Sequence, residues 1–250
     1  MEKVKFKSSN NITIRGILDK VNDSKKIVVV GHGFRSNKEG RTSSTIGPAL
    51  NKANINTLRI DFFGHGESDG PFSKITVTQG IDDVKAAIQF VKGLGYTDIG
   101  YSGNSLGGIL GTGSAINNKD LKLLCLICPV SDFPQHYEFK FPKDFVDEWR
   151  NKDSMSQKNK EGKEFRLNYS FYLDSKKWIM YDKAKDISAK VLIIHGNKDE
   201  SVPLEQSQKL LPNLKNASLE IVDGCDHNFT KEEHMQILVN KVTDFFKHNL

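Results

Sequence analysis

The chain has 250 residues, of which 37% are hydrophobic and 27% charged, and 36 basic against 31 acidic residues give a net charge of +5. This length fits one domain with room for an inserted subdomain, and the composition is typical of a soluble protein with a sizeable core. The basic residues are spread along the chain without a block or an aromatic-interleaved stripe, which argues against nucleic-acid binding.

The start of the chain and its cysteines bear on the compartment. From Met1 the chain opens directly into strand-like sequence, without an apolar segment for export or membrane spanning. Three cysteines, Cys125, Cys128 and Cys225, cannot all pair, so we expect reduced thiols in a cytoplasmic protein. Cys125 and Cys128 form C-x-x-C, but their apolar surroundings favour a buried strand over a redox or zinc site.

Strands alternate with helices along most of the chain. The predicted strands are 4–7, 12–18, 26–30, 57–60, 98–102, 121–130, 191–194 and 219–222. The predicted helices are 45–53, 78–94, one that begins at 106, and 231–249. The first two strands form an antiparallel hairpin, while the β-branched run 26–30 is typical of a strand buried on both faces of a parallel sheet. This order predicts a mostly parallel, doubly wound α/β fold whose ligands bind at the carboxyl ends of the strands.

The segment 132–186 breaks this alternation. It is charged, poor in strand patterning and compatible with several short helices, and it leaves the sheet after one strand and returns before the next. We therefore interpret it as an insertion that caps the strand ends within a single domain, 1–250. It contains 12 of the 23 aromatic residues: Phe133, Tyr137, Phe139, Phe141, Phe145, Trp149, Phe165, Tyr169, Phe171, Tyr172, Trp178 and Tyr181.

A G-x-S-x-G pattern centred on Ser105 follows the strand 98–102 and precedes a helix. This strand–turn–helix setting is typical of a nucleophile elbow, in which a strained turn holds the serine hydroxyl above the sheet edge. Glycines at 103 and 107 are expected because a Cβ there would strike the neighbouring strand or helix.

A serine hydroxyl needs a base, itself oriented by an acid, to become a nucleophile at neutral pH. Asp199 lies just beyond the strand 191–194, and His227 lies in the loop after the last strand, which is the order serine, acid, histidine. Two other acids remain open. Asp132 follows the preceding strand, whereas Asp226 is disfavoured because adjacent side chains point apart.

A tetrahedral intermediate needs two aimed N–H donors for its oxyanion. The backbone amide of Leu106, directly after the serine, is one candidate, and the amide of Phe34 in the loop after strand 26–30 is the other. The three remaining histidines near strand ends have structural interpretations. His32 is expected to order its loop, His65 to stabilise a turn, and His195 to be buried at a strand end beside the loop that carries the acid.

Five segments together carry a resemblance to a known family: 32–34, 61–70 with its G-H-G-x-S-D-G, 103–108, 195–199 and 224–227. They resemble the serine esterases of the α/β-hydrolase superfamily, and most closely the small bacterial and archaeal group that includes cinnamoyl (feruloyl) esterases. The resemblance implies Ser105, Asp199 and His227 as the triad, with Phe34 and Leu106 as the oxyanion donors.

The same resemblance implies that the insertion forms a small lid over an acyl or aryl pocket. In those esterases a tyrosine after a phenylalanine late in the lid can bind the hydroxyl of an aromatic substrate, and Tyr172 after Phe171 stands in a similar place. Two residues depart from the pattern. Asn104 replaces a common histidine and Leu106 a common glutamine or methionine, and neither change removes a catalytic atom.

These patterns predict a carboxylic ester hydrolase that works through an acyl-enzyme on short or medium acyl or aryl esters. A thioesterase, a monoacylglycerol lipase or a peptidase would use the same residues, and a non-catalytic hydrolase-like binding protein is the alternative from another class. We expect a small-molecule ester as the partner, no metal or cofactor and no membrane span, with a homodimer left open.

Overall fold

The structure, a computed structural model, describes residues 1–158 and 164–250. An eight-stranded sheet runs through its centre. Its strands are β1 (Glu2–Lys7), β2 (Thr13–Asp19), β3 (Lys26–Gly31), β4 (Asn56–Asp61), β5 (Asp98–Asn104) and β6 (Leu121–Ile127), followed later in the chain by β9 (Lys190–Gly196) and β10 (Ala217–Val222).

The sheet order is β1-β2-β4-β3-β5-β6-β9-β10. The hairpin partners β1 and β2 are antiparallel, and so are β2 and β4, whereas every pair from β4 to β10 is parallel. The predicted doubly wound, mostly parallel α/β fold is confirmed. Six parallel strands therefore end at one edge, where the loops that follow them meet.

Helices cover both faces of the sheet because adjacent residues of the inner strands point to opposite sides. In β3, Ile27 and Val29 join one buried cluster, and Val28 and Val30 join the other. The first cluster packs against α2 (Val77–Gly93) and α3 (Leu106–Ala115), and the second against α1 (Arg41–Lys52) and the carboxyl-terminal α8 (Glu232–Asn249).

The segment between β6 and β9 contains α4 (Phe133–Lys140), α5 (Phe145–Lys152), an antiparallel hairpin and α6 (Ser170–Ser175). The hairpin strands are β7 (Ser154–Lys158) and β8 (Glu164–Asn168), and they form a separate two-stranded sheet. The sequence predicted short helices here but no strands. Residues 159–163 of the predicted insertion 132–186 lie outside the described residues. After β9 comes one further short helix, α7 (Leu204–Leu210), which the sequence analysis did not predict.

Two predicted boundaries were wrong by several residues. The strand predicted at 121–130 ends at Ile127, because Cys128 takes a left-handed conformation with φ of 42° and its N–H bonds to the carbonyl of Ile194. The helix predicted at 45–53 begins at Arg41, four residues earlier. Among the described residues, no helix combines the length and apolarity needed to cross a bilayer.

Candidate active site

Ser105 occupies a sharp turn between β5 and α3. Its φ of 53° and ψ of −109° lie outside the regions that a non-glycine residue ordinarily adopts, so the turn is strained. Glycines make the turn possible. A Cβ at Gly103 would lie 2.3 Å from the carbonyl oxygen of Gly107, and one at Gly107 would lie 2.7 Å from that of Gly31. The backbone of Ser105 is fixed from the neighbouring strand by its N–H bond to the Ile127 carbonyl, at 2.9 Å.

Asp199 and His227 meet at the same sheet edge, one after β9 and the other after β10. The Nδ1 atom of His227 donates to the Oδ2 atom of Asp199 at 2.6 Å. The carboxylate is buried, and only 11% of the imidazole side chain is exposed. Because Nδ1 carries the proton of this bond, Nε2 of neutral His227 is left as a proton acceptor.

Four donors surround the Asp199 carboxylate. Oδ1 accepts from the backbone N–H groups of Ser201 and Val202, each at 2.8 Å, and Oδ2 accepts from His227 and from Nε2 of His195 at 3.2 Å. Burial by itself would raise the pKa of this carboxyl. The hydrogen bonds from His195 and His227 outweigh burial, and they hold the pKa of Asp199 well below its ordinary value. The acid is therefore ionised and fixed in orientation.

His195 is buried as predicted, but its contact with the acid was not foreseen. Its Nδ1 lies 2.7 Å from the Ser207 hydroxyl, while Nε2 lies 3.0 Å from the carbonyl oxygen of Val202 and 3.2 Å from Asp199. A carbonyl oxygen only accepts, so Nε2 carries the proton of the bond to Val202, and this N–H also lies close to the carboxylate. The histidine at the end of β9 thus positions the acid.

The two rival acids have other partners. Asp132 is the N-cap of α4, where its side chain accepts from the N–H of Gln135 at 3.0 Å. Asp226 accepts from the N–H of Thr230 at 2.8 Å. Neither has a hydrogen bond to His227 among the described residues, so Asp199 is the acid that this geometry selects.

Two backbone N–H groups beside Ser105 have no hydrogen-bond partner among the described residues. They belong to Phe34 and Leu106, the two residues predicted as oxyanion donors, and both line the same cavity as Ser105. Buried N–H groups are nearly always paired in folded proteins. An N–H left open into a cavity is therefore available to a ligand oxygen.

A buried ion pair anchors the loop that carries Phe34. The Lys38 ammonium donates to Asp61 at the end of β4 and to Glu67, each at 2.7 Å, and the Lys38 N–H donates to the other Asp61 oxygen. His32 orders the start of the loop, because its Nδ1 bonds to the Gly33 carbonyl at 2.8 Å. These contacts tie the loop after β3 to the G-H-G-x-S-D-G segment.

A cavity of about 290 Å³ opens at this edge. Ser105 and His227 both line it, although no hydrogen bond joins the hydroxyl to the imidazole among the described residues. In free hydrolases this contact is frequently longer than in the substrate complex. The wall also includes residues that no motif indicated, since they come from the insertion and from α1: Arg41, Thr42, Phe133, His136, Tyr137, Lys140, Phe141 and Met155.

Tyr172, predicted to bind substrate, does not line this cavity. It is 8% exposed and packs among other insertion aromatics, with its ring 5.5 Å from Tyr169 and 5.9 Å from Tyr137. The side chain of Tyr172, on α6, packs into the insertion's own core. Tyr137, from α4, lies on the cavity wall instead.

One group of side chains near the acid has the residue types of a metal site. Cys128, His195 and Asp199 place one potential ligand atom each within 4.8 Å of one another. Both ring nitrogens of His195 are already in hydrogen bonds, and burial raises the pKa of the Cys128 thiol well above its ordinary value. A protonated thiol and an imidazole with both nitrogens in hydrogen bonds are poor metal ligands, so we interpret this group as packing around Asp199.

The strand order, the serine turn after β5 and the acid and histidine after β9 and β10 define an α/β-hydrolase. The sequence comparison gives the family. The chain belongs to the prolyl oligopeptidase family, whose profile matches residues 72–250.

The chain is similar in sequence to a thioesterase and similar in fold to several solved structures. The palmitoyl-protein thioesterase ABHD10, mitochondrial, of Mus musculus is 25% identical over 219 residues, which are 85% of this chain and 72% of that protein. The structure of Est1E from Butyrivibrio proteoclasticus with bound ferulic acid superposes with a TM-score of 0.84 at 24% identity, covering 98% of each chain. Mouse alpha/beta hydrolase domain-containing protein 10 gives 0.83 at 20% identity, covering 99% of each chain.

Proposed function

We propose that this α/β-hydrolase is a serine carboxylic ester hydrolase that works through an acyl-enzyme. His227 Nε2 accepts the proton of the Ser105 hydroxyl as the oxygen attacks the ester carbonyl carbon. The tetrahedral intermediate collapses, and the imidazolium gives its proton to the leaving alcohol. His227 then takes a proton from water as the water oxygen attacks the acyl carbonyl carbon, and the imidazolium returns this proton to the Ser105 oxygen as the bond to the acyl group breaks and the acid leaves.

One observation carries this proposal most. His227, whose Nδ1 is held by a buried carboxylate, lines the same cavity as a serine on a strained turn and the residues of two N–H groups without a described partner. Asp199 stays ionised and stabilises the imidazolium as it forms, while the amides of Phe34 and Leu106 receive the developing oxyanion. A Ser105 turn with only a structural role would not require this combination of features.

In this proposal the segment 132–186 acts as a lid, and short or medium acyl or aryl esters are the substrates. Rings of Phe34, Phe133, Tyr137 and Phe141 line the cavity, whose volume of about 290 Å³ suits a small substituent. Comparing methyl ferulate with 4-nitrophenyl butyrate, octanoate and palmitate tests this. We expect kcat/KM to fall for the long-chain palmitate, and equal values across the set would contradict the size limit.

A thioesterase is the second candidate, because the mouse relative with 25% identity is a palmitoyl-protein thioesterase. A peptidase is the third candidate, because the chain belongs to the prolyl oligopeptidase family. Oxygen esters, S-acyl thioesters and a peptide anilide with matched acyl groups distinguish the three. We expect the oxygen and thioesters to be cleaved and the anilide to remain intact, since an amine is a poorer leaving group.

The decisive experiment compares the wild-type chain with Ser105→Ala on 4-nitrophenyl butyrate. Removing the nucleophile should lower kcat on the order of a millionfold. Ser9→Ala changes an exposed serine in the turn between β1 and β2; it serves as the matched control and should retain full activity. Equal rates for the wild type and Ser105→Ala would end the proposal, provided both proteins are folded by circular dichroism.

A further inference from the structure

The cavity wall beside Ser105 carries several basic side chains. Among the described residues that line it, Arg35, Arg41 and Lys140 are basic and none is acidic. The chain as a whole has nearly balanced charge, with 36 basic and 31 acidic residues. Among the described lining residues, the charge is therefore more one-sided than in the chain as a whole.

Arg41, the first residue of α1, is held beside the base. Its guanidinium donates to the backbone carbonyls of Asn228 at 3.0 Å and Thr230 at 3.2 Å, in the loop that follows His227. It has no ion pair with any described residue. A guanidinium has five N–H donors, so donors remain after these two bonds, and their charge is not neutralised by a carboxylate.

Lys140, the last residue of α4, lines the same cavity. Its ammonium donates to the Ser201 hydroxyl at 2.8 Å, in the loop that holds Asp199, and it has no ion pair within the described ranges. Burial and the nearby charge of Arg35 lower the pKa of Lys140, although Glu200 and Asp199 act in the opposite direction. Glu200 does not line the cavity, and its carboxylate faces the N–H of His227 at 3.5 Å.

The two loops that flank the base therefore each hold a cation on the cavity wall. An anionic group bound in the cavity would be attracted by both charges. Resting on the proposed hydrolase function, we propose that the preferred ester or thioester carries an anionic oxygen group, a carboxylate or a phosphate, which Arg41 and Lys140 bind beside Ser105.

A matched pair of substrates tests this inference. Mono-4-nitrophenyl glutarate and 4-nitrophenyl pentanoate share the leaving group and differ in one terminal carboxylate. We expect kcat/KM to be about 10-fold higher for the glutarate in low salt, and the ratio to shrink in 0.5 M NaCl because exposed charges are screened. A ratio at or below one would overturn the inference while leaving the hydrolase proposal intact.

Variants assign the effect to the named side chain. Lys140→Met should lower the glutarate-to-pentanoate ratio of kcat/KM about 3- to 10-fold, and Lys140→Arg should restore most of it because arginine restores the positive charge. A ratio is used because any general loss of activity affects both substrates equally. Lys143→Met, which removes a nearby charge outside the cavity wall, is the control and should keep the wild-type ratio. A ratio unchanged in Lys140→Met would contradict the assignment.

Binding without turnover separates this inference from the hydrolase proposal. Calorimetric titration of folded Ser105→Ala protein with 4-hydroxybenzoate, phenyl phosphate and neutral 4-hydroxybenzamide needs no catalysis. We expect both anions to bind at least 5-fold more tightly than the amide, and the tighter of the two distinguishes a carboxylate from a phosphate preference. Equal binding of all three would overturn the anion site even if the wild type hydrolyses esters.

Discussion

The sheet edge and the inserted segment both contribute residues to the wall of one cavity, but they are fixed in different ways. At the edge, backbone geometry and buried hydrogen bonds determine each position, as with the strained turn at Ser105 and the four donors on Asp199. In the insertion, aromatic side chains pack on one another, as Tyr137 does against Trp149 and Tyr172. The edge supplies orientation, and the insertion supplies shape and charge.

The largest expected effect is a difference in kcat between variants of Asp132, which follows β6, and Asp199, which follows β9. Asp199→Asn should lower kcat on 4-nitrophenyl butyrate on the order of 10⁴-fold, because it loses the carboxylate that orients and stabilises the imidazole. Asp132→Asn, at the start of the insertion, should change kcat by less than 3-fold, since asparagine also caps a helix. A loss larger in Asp132→Asn than in Asp199→Asn would reverse the assignment of the acid.

Stability should also differ between a buried edge contact and an exposed insertion contact. Lys38→Met leaves the fully buried Asp61 carboxylate without its cation, and we expect the free energy of unfolding to fall by about 3–5 kcal/mol. In Lys152→Met the lost partner is Glu148, and both side chains of that pair are more than half exposed. That change should cost less than about 1 kcal/mol.

Chemical denaturation of both variants at pH 7 gives the two values. Comparable losses for Lys38→Met and Lys152→Met would mean that the edge is held no more firmly than the insertion surface.

The pH dependence of stability should come mainly from buried histidines. Burial lowers the pKa of His32 to about 4 and of His65 to about 3, both at the edge, and of His136 in the insertion to about 3. In the unfolded chain these groups bind protons below about pH 6.5, so the stability of the neutral folded forms is present above that pH and is lost as pH falls. Each edge histidine should cost on the order of 2 kcal/mol between pH 6.5 and 5.

The contribution of Asp83 to stability has the opposite pH dependence, because burial raises its pKa to about 7. Its protonated folded form is favoured at low pH, and its contribution is lost as pH rises from about 4 to 7. Denaturation at pH 5 and 7 should therefore show lower stability at pH 5 in the wild type and a steeper drop in Asp83→Asn. A stability that rises on acidification in both proteins would contradict this assignment of charges.

The smallest expected effect concerns which insertion tyrosine contacts substrate. Tyr137 lines the cavity and Tyr172 does not. On methyl ferulate, Tyr137→Phe should lower kcat/KM about 3-fold through a lost hydroxyl contact, whereas Tyr172→Phe should leave it within 2-fold. The opposite ranking would restore the role that the sequence pattern gave to Tyr172.

The edge was predictable from sequence because its requirements are local. The glycines at 103 and 107 are needed by the turn itself, and Asp199 and His227 follow strands whose ends must meet at one edge. The contact between His195 and Asp199 was not predicted, although the spacing of four residues across a turn could have suggested it.

The insertion was predictable only as an interruption of the strand–helix alternation. Its hairpin, β7 and β8, is short and carries charged residues such as Glu164 and Arg166, so no clear period of two marks it. Which aromatic faces the cavity depends on how α4 and α6 pack, and that is a tertiary contact that neither spacing nor composition encodes. The sequence also could not show that Lys140 and Arg41, which are distant along the chain, line the same cavity, because that too depends on tertiary packing.

A fluorophosphonate probe tests most directly that Ser105 is an activated nucleophile. Treating the folded chain and its His227→Gln variant with the probe, followed by digestion and mass spectrometry, locates any phosphonylated residue. We expect rapid modification of Ser105 in the wild type and a rate lower by at least 10³-fold in His227→Gln. An unlabelled Ser105, or equal labelling rates in the two proteins, would contradict the account.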